Sequence, residues 1–247
     1  MKYDSGFFDY VDSGAIRSAR AIVGRLFPLL RPGSVLDVGC GRGGWLGAWK
    51  AAGCADIQGI DGDYVDREKL YIPRENFLPA NLAMPFDLGR RFDLVQCLEV
   101  AEHIEPARAD GLIDSIVHHG DIVLFSAAVP GQGGTQHINE RPLEYWRDLF
   151  ASHGFAAFDA VRPDAHTDSR IEPWYRFNSI LYANPAGQAA LPDSIEATRV
   201  ADGAPFADLG NRAWRLRRAI FRHMPLGLVD RAALVNARLR RWQSAAP

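Results

Sequence analysis

His137 is the residue whose type and surroundings best suit proton chemistry. It stands in the polar stretch 126–142, SAAVPGQGGTQHINERP, near Gln132, Asn139 and Glu140. An imidazole titrates near neutrality, so it can take a proton from a poor nucleophile such as a neutral alcohol. Gln132, Asn139 and Glu140 could orient an incoming molecule or fix the tautomer of the ring. His137 could equally be a hydrogen-bonded brace of its own loop. His103, in EVAEHIEP, is the second candidate. Glu99 and Glu102 lie beside it, yet no ligand spacing is recognisable, so no metal is expected. A magnesium ion held mainly by substrate hydroxyls would leave no mark on the sequence. His118, His119 and His153 fall at predicted helix ends, where terminal carbonyls can engage them.

The elements that must position these side chains alternate along the chain. SVLDVG (34–39), DIQGID (56–61), FDLVQCLEV (92–100) and DIVLFSAAV (121–129) are continuous apolar runs. Such runs suit parallel strands covered on both faces. Between them, 43–53, 106–120 and 142–154 read as helices, ended by Gly53, Gly120 and Gly154. FAAFDAVR (155–162) and FNSILYAN (177–184) read as closing strands, with EPWYRFN (172–178) leading into the last one. Strand–helix alternation over this length predicts a doubly wound α/β domain. The polar loops then leave the carboxyl ends of strands, where open α/β sheets bind ligands.

VLDVGCGRGGW carries the strongest motif. A buried strand enters a glycine turn and then a helix, and Gly39, Gly41 and Gly44 fit G-x-G-x-x-G. Asp61 follows the next strand and suits a ribose hydroxyl pair. A nicotinamide dinucleotide and S-adenosylmethionine both fit thus far. Asp37 separates them: its carboxylate, two residues before the first glycine, would repel a pyrophosphate and attract an ammonium. S-adenosylmethionine has an ammonium and a ribose but no phosphate.

VLDVGCGRGGW, GIDGDYV, ANL and FDLVQCLEVAEHI, in this order, resemble the successive motifs of class I S-adenosylmethionine-dependent methyltransferases. The resemblance covers about residues 3–184. It implies a Rossmann-like, mostly parallel seven-stranded sheet with helices on both faces. It also implies that Gly39, Cys40 and Gly41 underlie the methionine portion and that Asp61 takes the ribose. Gly62, Asp63 and Tyr64 would line the adenosine, and Asn81 and Leu82 the adenine. Asn81 stands where the family more often has Asp. Leu98 and Glu99 would flank the sulfonium. FSAAVPGQGGTQHINE and EVAEH further resemble a narrower subgroup with members linked to glycan or secondary-metabolite assembly. That likeness points to O-methylation of a sugar, glycan precursor or small polar natural product, as in polysaccharide biosynthesis. Methylation of nitrogen or a carboxylate, and cofactor binding without catalysis, are the alternatives. The chain departs from the subgroup at Arg141, Phe177 and His166.

The remaining segments give weaker expectations. YDSGFFDYVDSGAIRSAR (3–20) reads either as a lid touching the cofactor carboxylate through Arg17 or as a docked helix capped by Asp12 or Ser13. Trp174, Tyr175 and Arg176 could shape the acceptor pocket. Residues 185–210 lose periodicity and read as a linker or meander. Residues 211–247 hold nine arginines and one acid and predict a basic helical extension of two helices. The apolar stripe of the second helix suits packing or a homodimer, with peripheral membrane contact as the alternative. The other 210 residues carry 19 basic and 29 acidic groups, which argues against a nucleic-acid partner. Three scattered cysteines, Cys40, Cys54 and Cys97, and an N-terminus unlike a signal peptide predict a cytoplasmic protein.

Overall fold

A computed structural model describes residues 5–225 together with 227 and 228, with the backbone alone for 5–12. The elements in chain order are α1 (Ser5–Leu30), β1 (Ser34–Val38), α2 (Gly44–Ala52), β2 (Asp56–Asp61), β3 (Phe77–Pro79), β4 (Leu94–Leu98), α3 (Ala109–His118), β5 (Ile122–Ser126), α4 (Leu143–Ser152), β6 (Ala156–Phe158), α5 (Arg162–Ala165), α6 (Pro173–Asn178), β7 (Ile180–Ala183), α7 (Pro185–Gln188), α8 (Asp193–Glu196) and α9 (Arg212–Phe221). Seven strands form one sheet in the order β3-β2-β1-β4-β5-β7-β6. β7 runs antiparallel to both β5 and β6, and the other pairings are parallel.

Strand periodicity of two sends alternate side chains to opposite faces. Val35 enters one core with Leu46, Trp49, Ile57 and Leu94, whereas Leu36 and Val38 enter the other with Val95, Ile113, Ile116 and Phe150. α1 closes the first core through Ala19, Ile22, Val23 and Leu26, a stripe at helical spacing. Its Ile16 lies so near Gly44 that a Cβ there would stand 2.9 Å from the isoleucine, so the third glycine of the motif serves helix packing.

Several expected boundaries shift. α1 begins at Ser5, so Asp12 and Ser13 lie inside the helix and do not cap it. The closing strands are shorter: β6 stops at Phe158 and Arg162 opens a helix, while β7 begins only at Ile180. EPWYRFN is helical, because Pro173 takes the first helical position, which does not require its missing N–H. Residues 185–210 form two short helices that bury Leu191 and Ile195 in the first core. Of the basic extension, α9 is described, and the second predicted helix lies outside the described residues apart from 227 and 228. Among the described residues no helix is long and apolar enough to cross a membrane.

Candidate active site

β1 delivers its glycine turn against the ends of β2 and β4. Gly39 and Cys40 both donate to the Ile60 carbonyl, at 2.8 and 3.2 Å. Gly39 has φ 82°, and a Cβ on it would overlap the Val100 side chain just past β4. This contact joins the glycine turn to the EVAEH segment. Gly41, at φ 53°, has open space where a Cβ would be, so a ligand can lie on its backbone. Gly43, at φ 81°, precedes α2 as its N-cap in the left-handed region. The Cys40 thiol turns toward Gly59 of β2, so Cys40 can offer the ligand its backbone only.

Two acids face this turn. Asp61 ends β2, and its carboxylate accepts from Gly41 N at 2.7 Å, Gly62 N at 2.6 Å and the Tyr64 hydroxyl at 2.6 Å. A vicinal diol can replace the tyrosine hydroxyl there, since Tyr64 is otherwise largely exposed and its ring lies over Gly62. Asp37 is 3% exposed, and burial raises its carboxyl to about 7, with Gln96 drawing it down and the Asp61 charge pushing it further up. A bound ammonium would compensate the buried charge. Leu82 and Leu98 are buried nearby in sequence from β3 and β4, while Asn81 is exposed and caps its own turn by accepting from Ala83 N. Asp63 is exposed and pairs with Arg67, so this chain uses it for a surface ion pair.

The second half of the site grows from the ends of β4 and β5. Glu99 has φ 58°, a costly conformation for a residue with a side chain and one concentrated at functional sites. Its N–H donates to Ser126 O of β5. Gln132 donates to Glu99 Oε2 at 2.6 Å and accepts from Asn178 at 2.7 Å. Burial raises the Glu99 carboxyl to about 7 against the pull of these bonds. Gln132 is thus committed to Glu99, and Asn178 completes the polar chain.

The loop after β5 is anchored by its backbone: Ile138 N and Asn139 N both donate to the Glu102 carbonyl. Asn139 is buried and donates to Ala101 O while accepting from Arg141. Glu140 accepts from Gly131 N and Gly133 N, each at 2.8 Å, and from His137 Nδ1 at 3.1 Å. Those bonds hold the Glu140 carboxyl below its usual range despite partial burial. A carboxylate only accepts, so His137 donates from Nδ1 and turns Nε2 toward Glu102 Oε1, 3.9 Å away. His103 Nδ1 meets the Gln136 carbonyl at 3.2 Å, which fixes the same tautomer. The two rings stand edge to face at 5.0 Å. Although His103 keeps an exposed edge, desolvation by its surroundings and the facing His137 lower it to about 4. Glu102 is fully buried with both carboxylate oxygens unpartnered. Potential ligand atoms of Glu102, His103 and His137 all lie within 4.8 Å of one another. The expectation of no ligand cluster is therefore corrected: sequence spacing concealed one, because His137 arrives from a different strand end. Glu102 was weighed as a ligand in the sequence and set aside for want of a spacing, and the fold places it beside both rings.

Other expected contacts fall elsewhere. Arg17 Nη2 pairs with Glu172 Oε1 at 3.1 Å, joining α1 to the start of α6, so the guanidinium is spent within the chain. Tyr175 is buried edge-on to Trp45 at 5.1 Å, and burial together with the Glu99 and Asp37 charges raises its hydroxyl. It thus belongs beside the cofactor turn. Trp174 packs on the cores, and Arg176 lies over Phe177 and donates to Asp168 O. His119 is buried, meeting Ser115 O through Nδ1 and Leu88 N through Nε2, and His153 pairs with Asp110. α9 packs directly on the acceptor loop: Trp214 packs with Val129 and Phe177, and Arg217 and Arg218 donate to Gln132 O and Pro130 O. Between that loop and α9 lies a cavity of about 190 Å³ that His137, Glu140, Phe221 and Arg222 help to line.

Residues 11–158 match the description of a methyltransferase domain. Comparison with curated proteins gave no match. Among solved structures, the chain is similar to magnesium protoporphyrin IX methyltransferase from Synechocystis PCC 6803 with bound S-adenosylmethionine (19% identity, 74% of this chain and 85% of that one, TM-score 0.51). It is also similar to the sugar N-methyltransferase KedS8 from Streptoalloteichus sp. ATCC 53650 (16% identity, 71% and 88% covered, TM-score 0.51). A third likeness is to an O-methyltransferase assignment from Nostoc punctiforme PCC 73102 (16% identity, 67% and 55% covered, TM-score 0.52). The match over more than half the chain, on a seven-stranded sheet of this order, shows that the chain belongs to the class I S-adenosylmethionine-dependent methyltransferases.

Proposed function

We propose that the chain methylates a hydroxyl of a sugar, glycan precursor or small polar natural product. The observation that carries this reading is the convergence of His137 Nε2, the His103 ring and the Glu102 carboxylate on one point. Gly39 and Val100 tie this group to the glycine turn. An amine acceptor presents its lone pair once its ammonium has lost a proton to solvent, and a carboxylate is already ionised. A neutral hydroxyl is the acceptor that needs help to lose its proton, and this cluster is built from groups that give such help. The sulfonium of the donor supplies an electrophilic methyl with a good leaving group, and the chain's own part is alignment and deprotonation. Asp37, Gly39, Gly41 and Asp61 hold the donor. The loop 127–141 and α9 enclose the acceptor side.

The test is a product search with isotope-labelled methyl donor and an extract of the native host, read by mass spectrometry. Label in an ether methyl group supports the reading. Label found solely on nitrogen or as an ester refutes it, and a chain that binds S-adenosylhomocysteine yet labels nothing acts as a binding protein. His137→Ala should keep S-adenosylhomocysteine affinity and lose at least about tenfold in turnover, the lower end of general acid–base effects. Unchanged turnover would make His137 a brace alone.

A further inference from the structure

We propose that Glu102, His103 and His137 bind a divalent first-row transition cation, such as Zn²⁺, Co²⁺ or Mn²⁺, that activates the acceptor hydroxyl. Cation binding is independent of the reading as an O-methyltransferase, whereas the assigned role rests on it.

Four observations converge. First, Glu102 is a fully buried carboxylate whose two oxygens have no hydrogen-bond partner. A buried acid is ordinarily paired, neutralised by a proton or bound to a metal. Second, both imidazoles have Nδ1 committed, to Gln136 O and to Glu140 Oε1, which leaves both Nε2 lone pairs for a ligand. A histidine held at one nitrogen by a carbonyl or carboxylate is the usual outer arrangement of metal sites. Third, that outer arrangement is itself fixed, because Glu140 is clamped by Gly131 N and Gly133 N. A Cβ on Gly134 would overlap the His137 ring, so a glycine makes room for its placement. Fourth, the ligand atoms lie within 4.8 Å of one another, and His137 Nε2 lies 3.9 Å from Glu102 Oε1. Ligands about 2.1 Å from a shared cation stand roughly 3–3.5 Å apart, so modest side-chain closure completes the set. Two imidazoles and one carboxylate suit first-row metals better than Mg²⁺, which favours an all-oxygen shell.

Three protein ligands leave positions open for substrate. A hydroxyl bound there loses its proton more readily and the proton passes to solvent. The oxygen then bonds to the methyl carbon as the carbon–sulfur bond breaks with its electron pair on sulfur. The sum is one acceptor R–OH and one sulfonium donor giving R–OCH₃, S-adenosylhomocysteine and one H⁺. His137 acts in this scheme as a ligand, and Glu140 positions it.

The experiment uses the full chain without a polyhistidine tag, stripped by a chelator and titrated with Co²⁺ and Zn²⁺ by absorption and calorimetry. S-adenosylhomocysteine affinity is measured on the same sample. One equivalent should bind with visible Co²⁺ ligand-field bands. Glu102→Gln and His103→Gln should each abolish that site, and Glu140→Gln should weaken it about 10–100-fold, the usual outer-sphere effect. His103→Gln alters a partly exposed ring and guards against a folding failure at Glu102. Absence of stoichiometric binding, or binding indifferent to all three substitutions, overturns the proposal. Cofactor binding without metal binding removes the cation and leaves the methyltransferase reading standing. Metal binding with an N-methylated product overturns the role in hydroxyl activation while keeping the site.

Discussion

Replacing Asp37 with Asn should stabilise the ligand-free protein and abolish its grip on the donor. Asp37 sits in β1 opposite Gly59 and Gln96, is 3% exposed, and titrates near 7 against a reference of 3.8. The folded state therefore binds a proton that the unfolded state releases between these two values. Because the folded pKa is raised, the contribution of Asp37 to stability is greatest below 3.8, falls as pH rises toward about 7, and levels off above it. The full penalty is about three pKa units, or on the order of 4 kcal/mol at pH 8, and about 1–2 kcal/mol at pH 5. Urea melts of wild type and Asp37→Asn at both pH values should show the variant's advantage growing by about 2–3 kcal/mol from pH 5 to pH 8. The same carboxyl must ionise to meet an ammonium, so donor binding should release a proton near neutrality. Affinity should fall as pH drops below about 7. Calorimetry with S-adenosylhomocysteine in buffers of different ionisation enthalpy reads both. A pH-independent stability difference, or retained affinity in Asp37→Asn, would refute the reasoning.

Gly39→Ala should cost about 2–3 kcal/mol or more from the positive φ and the Val100 overlap, and Val100→Ala should relieve the overlap but not the backbone strain; thermal melts of single and double variants separate the two. Gly134→Ala, at a residue whose φ is not positive, should push the His137 ring aside and lower turnover at least about tenfold while the melting temperature and S-adenosylhomocysteine affinity stay near wild type. Trp214→Ala should loosen α9 from Val129 and Phe177, costing about 3–5 kcal/mol if the helix docks cooperatively with the domain. In steady-state assays it should raise the acceptor KM far more than the donor KM. An equal rise in both would show that α9 supports the whole domain and does not serve the acceptor side in particular.

The sheet was legible because its central strands are pure apolar runs between glycine punctuation. SVLDVG and DIQGID match β1 and β2 closely. β3 escaped notice because three residues, two of them exposed, carry no periodic signal. EPWYRFN misled because aromatic residues favour strands, whereas Pro173 and the Glu172 carbonyl, which accepts from Tyr175 N and Arg176 N, start a helix. At the site, local motifs revealed what local geometry makes: the glycine turn, Asp37 and Asp61. Long-range partners were not legible. Arg17 meets Glu172, and His137 meets Glu102, only through the topology that brings their elements together. Of the Gly39–Gly41–Gly44 pattern, Gly39 and Gly41 have positive φ and Gly44 takes the helix contact, while Gly43, outside the pattern, takes the left-handed cap.

Sequence reading left His137 either a reactive group or a brace, and the fold shows the bracing bond while leaving Nε2 turned toward Glu102. Glu140 holds Nδ1, and that bond is what directs Nε2 at Glu102. The clamp on Glu140 consists of backbone N–H groups, which do not titrate, so the ring's tautomer does not change with the protonation of a neighbouring acid in the clamp. The loop is tied in turn to the backbone of Glu102 itself through Ile138 and Asn139. A displacement of the EVAEH segment by a donor molecule pressing on Gly39 and Val100 would therefore carry the carboxylate and the facing imidazole together. On the proposed reading, two hydrogen bonds to a single carbonyl would couple donor occupancy to acceptor activation, so substitutions that lengthen the loop after Ser126 should lower turnover while S-adenosylhomocysteine affinity and the melting temperature stay near wild type.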